Sequence, residues 1–196
     1  MVDIDKLLSL KIDTLAPKAG RLLISEPFLQ DMFFKRSVVL LADHNKDGSF
    51  GLILNKPVEM KFNEIVQNFP HFEVPLYMGG PVKTDSVFFI HSLGDQIKNS
   101  YPIIPGLYWG GDIEDVKQMI REKALGKYQI KFFLGYSGWS ENQLNEELER
   151  NSWVITDTRS KEVLEKPAES MWQKMVKSLG KEFDIWTKLP HDPRLN

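Results

Sequence analysis

The sequence predicts an α+β domain with a strongly twisted, largely antiparallel sheet that curls towards a barrel. Short apolar runs bounded by turn residues dominate the earlier part of the chain, and helical patterns concentrate later. Residues 44–49 combine Asn, Asp and Gly between two apolar runs, which is typical of a hairpin loop. A doubly wound nucleotide-binding fold would instead alternate strands with helices.

Five apolar runs are predicted to be strands. The run at residues 38–41 is continuously apolar rather than alternating, so its strand is expected to be covered on both faces. The loop after it predicts that residues 36–43 and 50–55 pair antiparallel. The predicted strands are residues 21–25, 37–42, 50–55, 86–91 and 129–135.

Helical patterns occur at the start of the chain and throughout its second half. Residues 3–12 have apolar side chains at helical spacing and predict a short docking helix. Asp112 can cap a second helix, and Ser140 with Gln143 has capping-box spacing, which predicts a third helix beginning at Ser140. A last helix is predicted to end at Gly180. Its apolar stripe is Met171, Met175 and Leu179.

Composition restricts the possible functions. The chain has 196 residues, which predicts one domain over residues 1–196. It has no cysteine, which excludes disulfides, thiolate metal sites and cysteine nucleophiles. The histidines lack metal-ligand spacing, and we expect neither a metal nor a cofactor. A net charge of -2 disfavours nucleic acid as a partner.

The chain begins with acidic residues and has no apolar stretch long enough for a bilayer span. We therefore expect a cytoplasmic protein with no membrane partner.

A Gly-x-Ser-Gly stretch follows the fifth predicted strand. Ser137 within it resembles a hydrolase nucleophile, with His44 or His91 as the candidate base. The hydrolase elbow requires glycine where Trp139 stands, so we favour a sharp structural turn from strand to helix, with Trp139 packed beneath it. This leaves a hydrolase as the alternative function.

Other polar and glycine positions suggest a binding surface. The pairs Gly79-Gly80 and Gly110-Gly111 could present backbone N–H groups to an anion, although structural turns are the favoured interpretation, and Asp112 competes with an anion at the second pair. We hypothesise that nine residues at strand ends converge to bind an anionic or carbonyl-bearing ligand. They are Arg36, His44, Asn55, Lys56, Gly79, Gly80, Tyr136, Ser137 and Trp139.

Read together, these stretches resemble the YqgE/AlgH family of bacterial proteins, described as proposed transcriptional regulators. The resemblance covers residues 19–153 and leaves residues 154–196 as a C-terminal helical extension. It rests on Gly20-Arg21-Leu22-Leu23-Ile24-Ser25, Arg36-Ser37-Val38-Val39-Leu40-Leu41, Gly51-Leu52-Ile53-Leu54-Asn55-Lys56-Pro57, Gly79-Gly80-Pro81-Val82, Gly110-Gly111-Asp112 and Gly135-Tyr136-Ser137-Gly138-Trp139.

The resemblance implies a bifurcated, barrel-like mixed sheet, and it carries over no catalytic residue. The leading interpretation is a non-enzymatic binding protein with a regulatory role, whose partner is a protein or a small ligand. A hydrolase using Ser137 is the first alternative, and a regulator contacting DNA is the second.

Overall fold

The computed structural model describes residues 15–126, 128–165 and 170–189. Within these residues, nine strands form one sheet. The strands are β1 (Leu22–Ser25), β2 (Val38–Asn45), β3 (Gly48–Ile53), β4 (Leu76–Met78), β5 (Val82–His91), β6 (Tyr101–Ile104), β7 (Leu107–Trp109), β8 (Ile130–Ser140) and β9 (Trp153–Thr156).

The helices are short, and four of the six described α-helices follow the longest strand, β8. The predicted helix at residues 3–12 lies outside the described residues. Short 3-10 turns occur at Gly94–Gln96 and Lys181–Phe183. The α-helices are α1 (Phe62–Ile65), α2 (Ile113–Arg121), α3 (Gln143–Glu149), α4 (Ser160–Glu165), α5 (Met171–Leu179) and α6 (Asp184–Lys188).

The sheet runs in the order β6-β7-β5-β8-β3-β2-β1-β9, and β4 lies off this path. Strand β8 creates a bifurcation because two strands share one of its edges. Its first half pairs in parallel with β4, as in Phe132 opposite Leu76. Its second half pairs antiparallel with β3, as in Ser137 opposite Gly51. The predicted α+β domain with a mixed, largely antiparallel and bifurcated sheet is confirmed.

The sheet curls without closing. Strands β6 and β9 are the two ends of the described pairing order. Strand β6 nevertheless lies close to the segment that enters β1, because a Cβ built on Gly20 would meet the Ile104 side chain. The turn at Gly106, after β6, approaches the Ser160 side chain at the start of α4. The curl is therefore barrel-like, but packing rather than hydrogen bonding brings the ends together.

The predicted hairpin is confirmed. Strands β2 and β3 pair antiparallel, with Asn45 opposite Gly48 across a two-residue turn. The four residues at 38–41 are fully buried, as expected for a strand covered on both faces.

The prediction of a strand-to-helix turn at residues 135–139 is wrong, because β8 continues to Ser140. Pairing with Gly48 holds Ser140 in the sheet, so α3 begins at Gln143 instead. The Ser140 N–H still donates to Gln143 Oε1 at 3.0 Å. The capping-box spacing therefore identified a real contact, but that contact lies in the turn before the helix.

The helix after Asp112 is confirmed. The Asp112 carboxylate accepts the Glu114 N–H at 2.9 Å, which caps α2. The predicted last helix is also confirmed, since α5 ends at Leu179 and Gly180 follows with a φ of 141°. Among the described helices, none combines the length and apolar character needed to cross a bilayer.

Candidate functional site

Arg36 holds the C-terminal helices against the sheet. Its side chain is buried, its Nη2 donates to the Leu189 carbonyl at 2.5 Å, and its guanidinium lies 5.0 Å from the centroid of the Trp172 ring. Trp172 also donates its indole N–H to the Ser25 carbonyl, at the end of β1. These contacts connect α5 and α6 to the sheet and explain why a cation is buried here.

Asn55 and Lys56 stabilise the backbone next to Arg36. The Asn55 side chain donates to the Arg36 carbonyl at 2.9 Å and accepts the Val38 N–H at 2.8 Å. The Lys56 ammonium donates to the Met32 carbonyl at 2.9 Å. Burial lowers the pKa of Lys56, and the neighbouring Asp31 partly offsets that effect. Both side chains bind backbone carbonyl groups of the 31–38 region.

Four further candidate residues meet where β4, β5 and β8 join. Ser137 is fully buried and donates its hydroxyl to the Gly79 carbonyl at 3.0 Å. A Cβ on Gly80 would lie 2.3 Å from the Tyr136 backbone, so only glycine fits there. The Tyr136 ring packs 5.0 Å from Phe50. Glycine at these positions allows close approach of the two backbones.

The serine and histidine positions do not form the arrangement that a hydrolase requires. Ser137 bonds to a backbone carbonyl, whereas His44 Nδ1 bonds to Ser49 at 2.8 Å and His91 Nε2 bonds to Ser100 at 3.0 Å. A serine nucleophile needs a histidine within hydrogen-bond reach of its hydroxyl. The hydrolase hypothesis therefore receives no geometric support at Ser137.

Trp139 belongs to a buried cluster on the opposite side of β3 and β8 from Tyr136. Its indole N–H donates to Glu147 Oε2 at 2.9 Å, and the Trp153 indole donates to the same oxygen at 2.7 Å. Gln143 donates to the other carboxylate oxygen at 3.0 Å. One carboxylate of α3 thereby satisfies two buried indoles, one on β8 and one on β9.

The structure divides the nine candidate residues among separate places. Arg36, Asn55 and Lys56 form one group, and the junction of β4, β5 and β8 holds a second. Trp139 lies in the indole cluster. His44 lies at the tip of the hairpin, where it lines a polar pocket of about 180 Å³ together with Ser49 and Asn142. Ligand binding by the nine residues as one set stays a prediction.

A larger pocket lies between the edge of β5 and helix α2. Its volume is about 430 Å³, within the range typical of small-molecule sites. Aromatic and aliphatic side chains from four segments dominate its walls. The lining residues are Val66, Gln67, Phe69, Val87, Phe88, Phe89, Trp109, Gly110, Gly111, Ile113 and Lys117.

Gly110 and Gly111 form the rim of this pocket, and their positive φ values of 65° and 107° turn the chain from β7 into α2. His91 fixes the turn from behind. Its imidazole is fully buried, its Nδ1 accepts the Leu93 N–H at 3.2 Å, and its Nε2 lies 3.1 Å from the Gly110 carbonyl. Because Nδ1 accepts, Nε2 carries the proton in the neutral imidazole and donates to the rim.

Charges at the pocket mouth are already paired. Lys117 binds Glu114 at 2.6 Å, and Asp112 uses its carboxylate to cap α2. The Asp112 carboxylate therefore occupies the helix start where an anion would bind. The sequence predicts this competition at Gly110-Gly111. The pocket is suited to a largely apolar ligand.

The glycine turn of the pocket is visible in the sequence, but the walls of the pocket are not. Phe69, Phe88 and Trp109 resemble ordinary core residues in the sequence, since aromatic side chains most often pack in cores. Phe88 lines the pocket only because β7 ends beside it, and the sequence does not show where β7 ends. The pocket forms because β7 ends at Trp109 while β5 continues along the sheet.

The AlgH-like family matches residues 22–184 of the chain. A "UPF0301 protein" from Cytophaga hutchinsonii is 47% identical over 178 residues, which cover 90% of this chain and 98% of that protein. The chain belongs to the AlgH-like family. A relative of the same description from Parabacteroides distasonis is 45% identical over 92% of both chains. The family match continues beyond Trp153 and includes α4 and α5.

Solved structures share the AlgH-like fold. The AlgH protein from Pseudomonas aeruginosa superposes with a TM-score of 0.68 at 25% identity, covering 90% of this chain and 97% of that one. Protein DIP2367 from Corynebacterium diphtheriae superposes with a TM-score of 0.73 at 20% identity, covering 90% of this chain and 95% of that one.

Proposed function

We propose that this AlgH-like protein is a non-enzymatic binding protein that takes a small ligand in the pocket between β5 and α2. The observation that carries the proposal is an aromatic-lined pocket of about 430 Å³ whose charged groups are already paired. Such a pocket can bury an apolar ligand, but it presents no activated nucleophile or base to it. A regulatory role would follow if the protein with a ligand in the pocket differed in structure from the protein without one.

The polar residues of the family-like stretches support a non-catalytic function. Ser137, Asn55 and Arg36 each bind backbone carbonyl groups, so their hydrogen-bonding capacity serves the fold. His91 is deeply buried behind the rim and binds Leu93, Ser100 and Gly110. Neither His91 nor these three side chains are placed to act on a ligand in the pocket.

Fragment binding tests this function. Small aromatic compounds are screened by ligand-observed NMR against the wild-type chain and against Val66→Trp, which places a large side chain in the pocket. We expect hits on the wild type to lose at least tenfold in affinity in Val66→Trp. Met60→Trp is the matched control, because Met60 is 53% exposed and lies outside the pocket lining.

The proposal is wrong if the hits bind Val66→Trp as tightly as the wild type. It is also wrong if no aromatic fragment perturbs the amide resonances of residues 109–113 at millimolar concentration. Circular dichroism melts of the two tryptophan variants establish that both remain folded before their binding is compared.

A further inference from the structure

The edge of β5 is open where it borders the pocket. The Gly110 N–H donates to the Phe89 carbonyl at 3.0 Å, and beyond this bond β7 has turned away towards α2. Backbone groups in an antiparallel pair alternate between the two edges of a strand. Val87 therefore presents its N–H and C=O to the same edge as Phe89, away from β8. In the described part of the chain, no strand pairs with that edge at Val87.

Aromatic rings flank this open edge. Phe88, Trp109 and Phe69 all line the pocket. Trp109 is held in place by Phe50, with ring centroids 4.8 Å apart, and by Tyr101 at 4.9 Å. A planar ligand could stack on these fixed rings, since stacked and edge-to-face contacts between rings are favourable at centroid distances of about 4.5–7 Å.

Electrostatics at the mouth select against charge on the ligand. Lys117 is neutralised by Glu114, and Asp112 and Asp115 add carboxylates at the start of α2. Asp115 in turn pairs with Lys98 at 3.7 Å. An anionic ligand would face these carboxylates. A cationic ligand would find no carboxylate among the described residues that line the pocket, where Lys117 is the charged side chain and is already paired. An uncharged ligand therefore fits these charges best.

We propose that the pocket binds a planar, uncharged heterocycle of nucleobase type, whose neighbouring donor and acceptor pair with the backbone of Val87. The inference rests on the proposed binding function and names the ligand class for the same site. One N–H and one C=O on a single residue match the adjacent donor and acceptor at the edge of a nucleobase. The flanking rings supply stacking, which any base can use.

The class is tested with ¹⁵N-labelled protein titrated separately with adenine, adenosine, adenosine monophosphate and indole. Indole is the matched probe because it stacks similarly but lacks a neighbouring donor and acceptor. We expect adenine and adenosine to bind at least tenfold more tightly than indole, which corresponds to about one net hydrogen bond or more. Adenosine monophosphate should bind more weakly than adenosine because of the carboxylates.

The amide resonance of Val87 reports on the edge contact directly. Adenine should shift this resonance and slow its hydrogen exchange, whereas indole should leave its exchange rate unchanged. Val87→Pro removes the N–H without removing a bond to β8, and should reduce adenine binding to the level of indole. If that variant does not fold, the exchange rate of Val87 in the wild type decides the question.

The outcomes separate the ligand class from the binding function. Equal binding of adenine and indole, with both lost in Val66→Trp, would overturn the heterocycle class and leave the pocket function in place. If neither adenine nor indole binds more weakly to Val66→Trp than to the wild type, both the ligand class and the pocket function are wrong. Tighter binding of the monophosphate than of adenosine would show phosphate recognition and contradict the uncharged class.

Discussion

The junction of β4, β5 and β8 and the pocket at the opposite edge of β5 use polar groups in opposite ways. At the junction, the Ser137 hydroxyl binds the Gly79 carbonyl, and the Gly79 carbonyl also accepts the Ile53 N–H at 2.9 Å. In the pocket, apolar rings dominate, and none of the strands that the structure describes pairs with the backbone edge at Val87. Of the recognisable family-like stretches, those around Gly79 and Ser137 thus lie where backbones pack closely, whereas Gly110-Gly111 forms the rim of the candidate site, where a strand ends.

This difference indicates what the conspicuous residues of the sequence do. A buried polar side chain must be hydrogen bonded, so the positions that accept one are highly restricted. Restricted positions produce recognisable sequence patterns whether or not they bind a ligand. If this interpretation is right, substitutions at the junction and in its neighbouring clusters should mainly affect stability, and substitutions in the pocket should mainly affect binding.

The largest effect is expected from Glu147. Replacing it with Leu leaves two buried indole N–H groups, those of Trp139 and Trp153, without their acceptor. Each unsatisfied buried donor costs about 1–3 kcal/mol, so we expect a loss of roughly 3 kcal/mol or more in the free energy of unfolding. Urea denaturation followed by circular dichroism measures it.

Glu146→Leu is the matched control for Glu147. It lies on the same helix with its side chain 62% exposed, and its pair with Arg150 is long at 3.7 Å. We expect a change below about 0.5 kcal/mol. Glu147→Gln retains one acceptor oxygen, so its loss in the free energy of unfolding should lie between those of Glu147→Leu and Glu146→Leu. Equal stabilities of the Leu variants would show that the indole contacts do not stabilise the fold.

The second effect concerns Arg36. Its bond to Leu189 and its position over Trp172 connect the C-terminal helices to the sheet. Arg36→Ala should lose about 2–3 kcal/mol, because a buried charge-assisted bond and a desolvated cation–π contact are lost together. Lys56→Ala, which removes a single bond from a half-buried side chain to the Met32 carbonyl, should lose less than about 1 kcal/mol.

Both cation variants should bind the pocket ligand as the wild type does, since neither residue lines the pocket. Thermal melts with and without the fragment hits measure stability and binding on the same samples. Loss of ligand-induced stabilisation in Arg36→Ala, with an unchanged melting temperature for the free protein, would instead support a binding role for Arg36.

Local sequence patterns predicted much of the fold and little of the pocket. The hairpin of β2 and β3 and the cap at Asp112 depend on residues close together in the chain, so spacing alone was informative. Strands β6 and β7 are too short to show a pattern, since each has only three or four residues. The end of β8 was misassigned because Gly135 and Gly138 resemble turn residues.

The pocket could not be predicted from the sequence because it depends on long-range register. Its walls join β5, β7 and α2 with the segment around Phe69, and nothing local places these together. The open edge at Val87 exists only because β7 pairs with β5 no further than Gly110. The sequence pattern predicts the turn at Gly110-Gly111 but not which side chains surround it.

The smallest effect is expected from pH and tests how the pocket rim is held. Burial lowers the pKa of His91, and its bond to the Gly110 carbonyl only partly opposes this. A folded-state pKa below the ordinary value of about 6.5 means that the unfolded chain binds a proton first as pH falls. Stability contributed by neutral His91 is therefore full above about pH 6.5 and decreases as pH falls towards the lower folded-state pKa.

Protonation would also place a hydrogen on Nδ1, where the Leu93 N–H now donates. The Leu93 N–H would then lose its acceptor, whereas the Nε2–H would still donate to the Gly110 carbonyl. We expect the free energy of unfolding to fall by at most about 1.4 kcal/mol per pH unit below pH 6.5, measured by urea denaturation at several pH values. His91→Gln should remove this dependence, whereas His71→Gln should retain it because His71 is 79% exposed. Identical pH dependence in wild type and His91→Gln would show that burial of His91 does not make stability depend on pH.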